Sequence, residues 1–356
     1  MIVRLHKPAE LTPEQVARCR QLQQESDELA SPFFAPEFTR VAAEHCPGVE
    51  VAVLRDHGED AGFFPFQRYK RKLACPVAWI MNDFQGGLFR DDLDFDADEL
   101  LRACGLVCWR FDHLPIAQRG FVSGQIVFAE SPYIDLSGGF PAYQSSLTEN
   151  GGSRIKAILR KERKLAREIG PLKLVFEMRD VEAFETLFAW KGEQLKRTGK
   201  RDPFQQPWVR PFLRELWANS GPGCRGILSG LYAGSELAAV HFGICSSRVL
   251  HWWVSAYNTT LDRYSPGGIL LLRLAEHAAQ LGIQRVDLGK GMEPYKMSFQ
   301  SATMRLAEGA ISRGRWRRSI DHVSYRVRDW FRSSPLHRGS QAAKRAFDHL
   351  RLQSRP

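Results

Sequence analysis

Three apolar runs joined by very short turns constrain this chain most. Residues 225–232 (RGILSGLY), 236–244 (ELAAVHFGI) and 248–257 (RVLHWWVSAY) are rich in aliphatic and aromatic residues. Only AGS and CSS separate them. Connections that short reverse the chain, so the three runs form an antiparallel meander. A loop, NTTLDRYSPGG, then leads to an amphipathic helix, ILLLRLAEHAAQLG, and to a short strand, IQRVDLG. A helix that starts after a glycine-rich loop offers free N–H groups and a positive dipole end to a phosphate.

The strand at Ile283–Leu288 stops abruptly. Gly289 and Gly291 flank Lys290, and Pro294 follows. Into that turn the chain puts Asp287, Lys290, Glu293, Tyr295 and Lys296. Polar groups at the end of a buried strand are costly unless they meet partners or a ligand. The turn is either a solvated cap or part of a site.

The length favours two domains of similar size. The first half reads as mixed α/β. A helix covers 11–30 from Thr12-Pro13, and a short helix starts in 31–38. A hairpin joins 49–56 to 61–70, a further strand runs over 78–89, and a helix at ADELLRACG precedes the strand WRFDHLP. The stretch 131–143 (SPYIDLSGGFPAY) is turn-rich and marks the domain boundary. Beyond it, Ile155, Ile158, Leu159, Leu165 and Ile169 recur at helical spacing, opposite Arg154, Lys156, Arg160, Lys161, Arg163, Lys164 and Arg167. That basic face is either solvated or turned to a phosphate-bearing substrate. A strand (172–178) and a helix (181–196) with Trp190 and Lys191 near its end follow. The next loop carries Arg197, Lys200, Arg201, Asp202 and Trp208. Such a loop suits a sugar or phosphate, and Trp208 equally suits an anchor to the core.

No apolar run approaches the roughly 20 residues that span a bilayer, and the N-terminus lacks the apolar core of a secretory leader. The seven cysteines are scattered without a CxxC pair. This favours a reducing, cytoplasmic setting with no zinc site and no disulfide framework. The net charge is +10, but twelve Arg or Lys against three Asp from Arg313 onward supply nine of that excess. The body is therefore near neutral, which disfavours a DNA partner, and the basic tail reads as a docking segment.

Meander, loop, helix and strand together resemble the core of the GNAT acyltransferases. In that family the loop Q/R-x-x-G-x-G/A before the helix holds the pyrophosphate of acyl-CoA. Arg263-Tyr264-Ser265-Pro266-Gly267-Gly268 fits the frame, with Pro266 in place of the first glycine. The longer pattern is more specific. Trp190-Lys191, RTG (197–199) followed by Asp202, Pro207-Trp208, AYN (256–258), SPGG (265–268) and DLGKGMEPYK (287–296) resemble the CelD/BcsL-like, FemAB-related group found with bacterial cellulose and other exopolysaccharide genes. Tyr295-Lys296 with Phe299 also resembles the FK..F segment of the Fem peptidyltransferases, whose lysine lies in the active site.

The resemblance implies an α/β (α+β) fold of two tandem GNAT-like domains, each a mixed, mainly antiparallel sheet flanked by helices. It places a degenerate copy at 1–140, a catalytic copy at 141–312 and a basic C-terminal helical tail at 313–356. The chemistry it implies is acyl transfer from acetyl-CoA or another acyl-CoA, without a metal. The acceptor is a nucleotide- or lipid-linked sugar of an exopolysaccharide. Asp287 or Glu293 would be the base or orient an amine, Tyr295 would donate to the thiolate, and Lys296 would stabilise the oxyanion or a substrate phosphate. Arg263, Ser265, Gly267 and Gly268 would hold the donor, while Lys191, Asp202, Trp208, Arg160 and Tyr257 would line the acceptor side. His241 and His251, within strands, read as structural. Two other readings stay open: a Fem-like transferase using aminoacyl-tRNA, and a non-enzymatic GNAT-like binding or regulatory protein.

The tail carries Trp316, Ile320, Val323, Val327, Trp330 and Phe331 among many arginines, at roughly helical spacing from Ile320 onward. An amphipathic basic helix of this kind would lie on an anionic membrane, at the inner face of the plasma membrane, or hold a phosphate-rich regulator such as a cyclic dinucleotide. The alternative is that it packs on the catalytic domain with its arginines solvated.

Overall fold

The structure, a computed structural model, describes residues 1–149, 153–218 and 221–333. The expected tail beyond 333 lies outside the described residues. The described residues divide into two compact units: 1–28, 42–129 and 305–333 form the first, and 29–41 with 130–304 form the second. Each unit thus draws on separated stretches, and a single cut at 140 or 312 does not delimit either one.

The chain begins with β1 (Ile2–His6) and α1 (Pro13–Glu25). Thr12 opens α1 with a capping box: its hydroxyl accepts from the Gln15 N–H at 3.3 Å, and its own N–H donates to Gln15 Oε1 at 3.1 Å. Next come α2 (Pro36–His45) and the expected hairpin, β2 (Val49–Asp56) with β3 (Glu59–Lys70), then β4 (Leu73–Cys75). The strand expected over 78–89 is absent. Ala78 takes φ 55, a single tight turn covers Trp79–Met81, and only β5 (Leu88–Phe89) pairs, with β3. Side-chain amides supply the hydrogen bonds a ladder would have made. Asn82 donates to the Val77 carbonyl at 2.9 Å, and Gln85 Oε1 accepts from the Asp112 and His113 N–H groups at 2.8 and 2.9 Å.

Further along lie α3 (Ala97–Ala103), β6 (Cys108–Pro115), β7 (Gln125–Asp135) and α4 (Gly139–Glu149). The stretch 131–143 is therefore the end of one strand and the start of a helix, with its turn confined to 136–138. The second half contains α5 (Ser153–Glu168), β8 (Leu172–Val175), α6 (Val181–Arg197), α7 (Val209–Ala218), β9 (Arg225–Ala233), β10 (Glu236–Cys245) and β11 (Val249–Tyr257). It continues through α8 (Pro266–Gln280), β12 (Arg285–Asp287), α9 (Pro294–Phe299) and β13 (Ala302–Ser312) to α10 (Arg315–Ser333).

Each unit is built on a mainly antiparallel sheet flanked by helices. In the first the strand order is β1-β2-β3-β4-β6-β13, with β4 and β6 parallel. Its core is aromatic: Phe64, Trp109, Phe111 and Phe121 are sealed from solvent, and the Trp109 and Phe121 rings lie 5.0 Å apart. In the second unit the end of β7 leads into β12-β11-β10-β9-β8, and the β9–β10–β11 meander is antiparallel as expected. Ile269, Leu270 and Leu274 of α8 pack with Trp252 and Val286 in its core. The ladder between β10 and β11 slips between Phe242 and Ile244. Gly243 makes that slip feasible, because a Cβ there would fall 2.1 Å from the His251 carbonyl oxygen.

Candidate active site

The site grows from one break in the sheet of the second unit. Strands β11 and β12 run parallel for three residue pairs, Val249 with Arg285, Leu250 with Val286 and His251 with Asp287. The chain after β12 then stays with the β7 side. Leu288 donates to the Pro132 carbonyl and Gly291 to the Glu130 carbonyl, both at 3.0 Å. Strand β11 runs on alone along that edge from Trp252 to Tyr257. In a strand, one residue's N–H and C=O point to the same edge, so the open edge carries donors and acceptors in alternation.

Lys191, from α6, reaches into this gap. Its ammonium nitrogen donates to the Ser255 carbonyl at 3.1 Å. Burial, with the charges of Lys200 and Lys296, pushes its pKa down to about 8. Lys296 enters from α9. It is 6% exposed, and its nitrogen lies 3.0 Å from the Gly289 carbonyl, 2.9 Å from the Lys290 carbonyl and 3.0 Å from Glu293 Oε2. Burial would raise the Glu293 pKa, but the Lys296 charge, backbone hydrogen bonding and Lys200 outweigh it, and the net shift is downward. Lys191, Lys200, Glu293 and Lys296 are thus one electrostatic group with excess positive charge.

Lys296 is also a structural tie. Removing its ammonium leaves two carbonyls of the 289–290 turn without their donor. We expect Lys296→Met to cost about 1–3 kcal/mol of stability and, by removing a charge that lowers the Lys191 pKa, to move the rise of rate with pH upward. Thermal unfolding and steady-state kinetics measure the two effects separately. An unchanged melting midpoint would contradict the role in holding the turn.

The head of α8 lies beside the gap. Ser265 is left-handed (φ 54) and precedes Pro266, the first residue of the helix. Lys161 of α5 donates to the Ser265 hydroxyl at 2.6 Å. Gly267 sits where helix geometry leaves an N–H without an intrahelical acceptor. The Gly268 N–H already bonds to the Ser265 carbonyl at 3.0 Å, and a Cβ on Gly268 would lie 2.9 Å from Ile158 Cδ1. That glycine therefore serves the close approach of α5 to α8. The donors this helix head offers are the Gly267 N–H, the Ser265 hydroxyl and the Lys161 ammonium, a set that fits a phosphate. Lys161 appears in the sequence only as one of many basic residues on α5; its spacing from Ser265 carries no local signal.

The remaining sequence candidates fall as follows. Tyr257 lies at the gap end of β11, with its ring 3.5 Å from where a Gly267 Cβ would be. Burial raises its pKa, as does Asp262, while Arg197 opposes them. Tyr295 is 47% exposed on α9. Arg263 is drawn away from the helix head: its guanidinium lies over the Tyr264 ring at 4.7 Å and 3.8 Å from Glu168. Arg160 is exposed. Asp202 accepts from the Phe204 N–H at 2.9 Å as a helix cap, and Trp208 packs on Phe212 with ring centroids 5.8 Å apart. These contacts give Asp202 and Trp208 the anchoring role in the loop.

Asp287 differs most from the catalytic expectation. It is 1% exposed and lies 3.0 Å from the Arg285 guanidinium, with His251 Nδ1 at 4.0 Å. Arg285 in turn lies over the Tyr133 ring at 5.5 Å. A carboxylate so enclosed ties the point where the strands part and is closed to solvent. His251 is likewise sealed. His241 stacks on Trp252 at 4.2 Å, and burial pushes its pKa down to about 3, so both histidines are core residues, as the strand pattern implied.

Comparison with known proteins agrees with this architecture. Residues 153–297 match the acetyltransferase (GNAT) domain family. Among solved structures, FemX superposes with a TM-score of 0.59 at 9% identity, covering 87% of this chain and 96% of FemX. The C-terminal domain of a protein described as a lysylphosphatidylglycerol synthetase from Agrobacterium fabrum gives 0.55 at 12% identity, covering 88% and 96%. A tandem GNAT protein from the clavulanic acid biosynthesis pathway gives 0.51 at 12% identity, covering 88% and 99%. At such identities the likeness is one of fold. No curated protein matches the chain in sequence. The family match covers the stretch that holds the meander, the helix head and the strand gap.

Proposed function

We propose that the chain is an acyl-CoA-dependent N- or O-acetyltransferase acting on a nucleotide- or lipid-linked sugar precursor of a bacterial exopolysaccharide. The observation that carries acyl transfer is the open edge of β11 with a lysine of pKa about 8 bonded to its Ser255 carbonyl. A thioester lying in the gap would meet the Ser255 N–H, which points to the same edge as that carbonyl. This N–H would stabilise the oxyanion as the acceptor attacks. Neutral Lys191 would take the proton from the attacking amine or hydroxyl. The new C–N or C–O bond forms, the C–S bond breaks, and the thiolate leaves toward Tyr295. Lys296 would hold the turn and, with Lys200, keep Lys191 easy to deprotonate. The donor phosphates would meet Gly267, Ser265 and Lys161. The acceptor class rests on the resemblance to the exopolysaccharide-linked group.

A second reading, a Fem-like aminoacyl transferase, is favoured by one observation. Pro266 lacks an N–H and Ile158 covers Gly268, so the helix head offers fewer phosphate donors than the family loop. Calorimetric titration with acetyl-CoA separates the two. Saturable binding supports the first reading. No heat with acetyl-CoA, together with binding of aminoacyl-tRNA, supports the second.

Gly267→Val sharpens the test. A Cβ there meets the Tyr257 ring only at ordinary contact distance, 3.5 Å, so the helix head stays packed. We expect the KM for acyl-CoA to rise on the order of tenfold, as for loss of about 1.4 kcal/mol of binding, with the acceptor KM unchanged. Equal effects on both substrates would contradict donor binding at this residue.

A further inference from the structure

The helix α10 is mounted the wrong way round for an ordinary surface helix. Such helices turn their apolar stripe to the core. Here the inward face is polar and aromatic. Asp321 and Tyr325 are buried, and Tyr325 packs with Cys108, Ile126, Val127 and Ala310 of the first unit. Asp321 lies 3.2 Å from the Arg110 guanidinium and accepts from the Ser312 hydroxyl at 2.5 Å. Arg318 donates to the Ser312 carbonyl at 2.9 Å and bonds Asp98. These contacts fix the rotation of the helix about its axis.

The opposite face is apolar and open. Trp316 is 87% exposed, Ile320 66%, Val323 61% and Trp330 58%, and Val327 continues the stripe between them. Their spacing, with Ile320 four and Val327 eleven residues after Trp316, keeps them on one side of the helix. Arg315 and Arg326 lie along one flank by the same geometry and are exposed, whereas Arg317 on the other flank buries a guanidinium nitrogen. The helix sequence has six arginines against two aspartates, one of which is the buried Asp321. Among the described residues no helix is long and apolar enough to cross a membrane.

We propose that α10 is an interfacial membrane-binding helix, docked on the first unit so that its Trp316–Trp330 stripe lies in the headgroup region of an anionic bilayer. Charge complementarity selects this occupant over a second protein surface. A stripe with tryptophan near both ends and exposed arginines, Arg315 and Arg326, along one flank matches a boundary that is apolar within and anionic at its rim. Arg315 and Arg326 would lay their stems beside the stripe while their guanidinium groups reach the phosphates. The inference is independent of the acyl-transfer reading: it uses only contacts within the first unit.

The test uses full-length protein in sedimentation with vesicles of phosphatidylcholine alone and of phosphatidylcholine with equimolar phosphatidylglycerol. Binding is expected to the anionic vesicles and to fall with added salt. The variant Ile320→Ser/Val323→Ser/Val327→Ser alters only exposed positions, and serine has a helix propensity close to theirs. It should melt as wild type does and lose binding on the order of tenfold or more. Trp316→Ser alone, in the first turn of the helix, should lose a smaller part and guards against misfolding of the triple variant. Failure of the wild type to bind anionic vesicles overturns the proposal, as does undiminished binding by both variants. A triple variant that splits an oligomer, seen by analytical ultracentrifugation in a wild type that ignores vesicles, would show instead that a second copy covers the stripe.

Discussion

Lys191→Met is expected to lower kcat/KM by about 10²–10⁴-fold, the usual contribution of a positioned proton acceptor. It should also abolish the pH dependence that this residue imposes. Burial beside Lys200 and Lys296 sets the Lys191 pKa at about 8. A base must be neutral, so the wild-type rate should climb about tenfold per pH unit below 8 and level off above it. A lysine that instead served as a charged oxyanion donor would give the opposite limb, with the rate falling above pH 8. Stability follows the same group. The folded pKa is below the unfolded value of 10.5, so between about pH 8 and 10.5 the unfolded chain binds more protons, and stability rises with pH across that window. Below about pH 8 the buried ammonium is penalised in full. Lys191→Met removes that penalty and should fold at least as well as wild type at neutral pH, so lost activity would not be lost structure. A variant with wild-type kinetics, or a rise in rate through pH 8 that persists without Lys191, would remove it from the mechanism.

Asp321→Ala should be the most damaging single change in the first unit away from its aromatic core. It strips the carboxylate from a partly buried Arg110 and from the Ser312 hydroxyl, both held within hydrogen-bond distance. Breaking one side of a buried pair costs about 3–5 kcal/mol. The unfolding midpoint should drop on the order of 10 °C, read by calorimetry as the transition of the first unit. Because Asp321 and Tyr325 are what hold α10 down, increased proteolysis near Arg315–Arg318 should accompany the drop. A midpoint within a degree of wild type would mean that the helix is not fastened by this pair.

These two residues also mark where the sequence is readable. The meander was legible because AGS and CSS leave no room for another connection, and the helix after SPGG because its apolar spacing is clean. Lys296 stood out from its glycine- and proline-bounded turn. Lys191 was visible as a residue beside Trp190, but its low pKa arises from α6 packing over β11, sixty-four residues further on at Ser255. Asp287 shows the opposite failure. A strand-end carboxylate in a glycine turn reads as chemistry, whereas its neighbour Arg285, two residues back on the same strand, turns it into a buried tie. At 78–89 the apolar run suggested a strand, but Ala78 in the left-handed region and the Asn82 and Gln85 amides made a looped path better bonded. Periodicity found the α10 helix and gave no rotation for it. An amphipathic pattern says which residues share a face, and only the Asp321, Arg318 and Tyr325 contacts decide that the polar face goes inward.

Acyl transfer in the gap between β11 and β12 is read out by acceptor-dependent thiol release from acetyl-CoA. Wild type and Lys191→Met would be assayed side by side on a panel of amino- and hydroxyl-bearing nucleotide sugars, with the acylated product identified by mass. Wild type should release one thiol per acylated sugar with at least one acceptor, and Lys191→Met should retain about one per cent of that rate or less. Thiol release that is indifferent to Lys191, or consumption of aminoacyl-tRNA with none of acetyl-CoA, would contradict this mechanism.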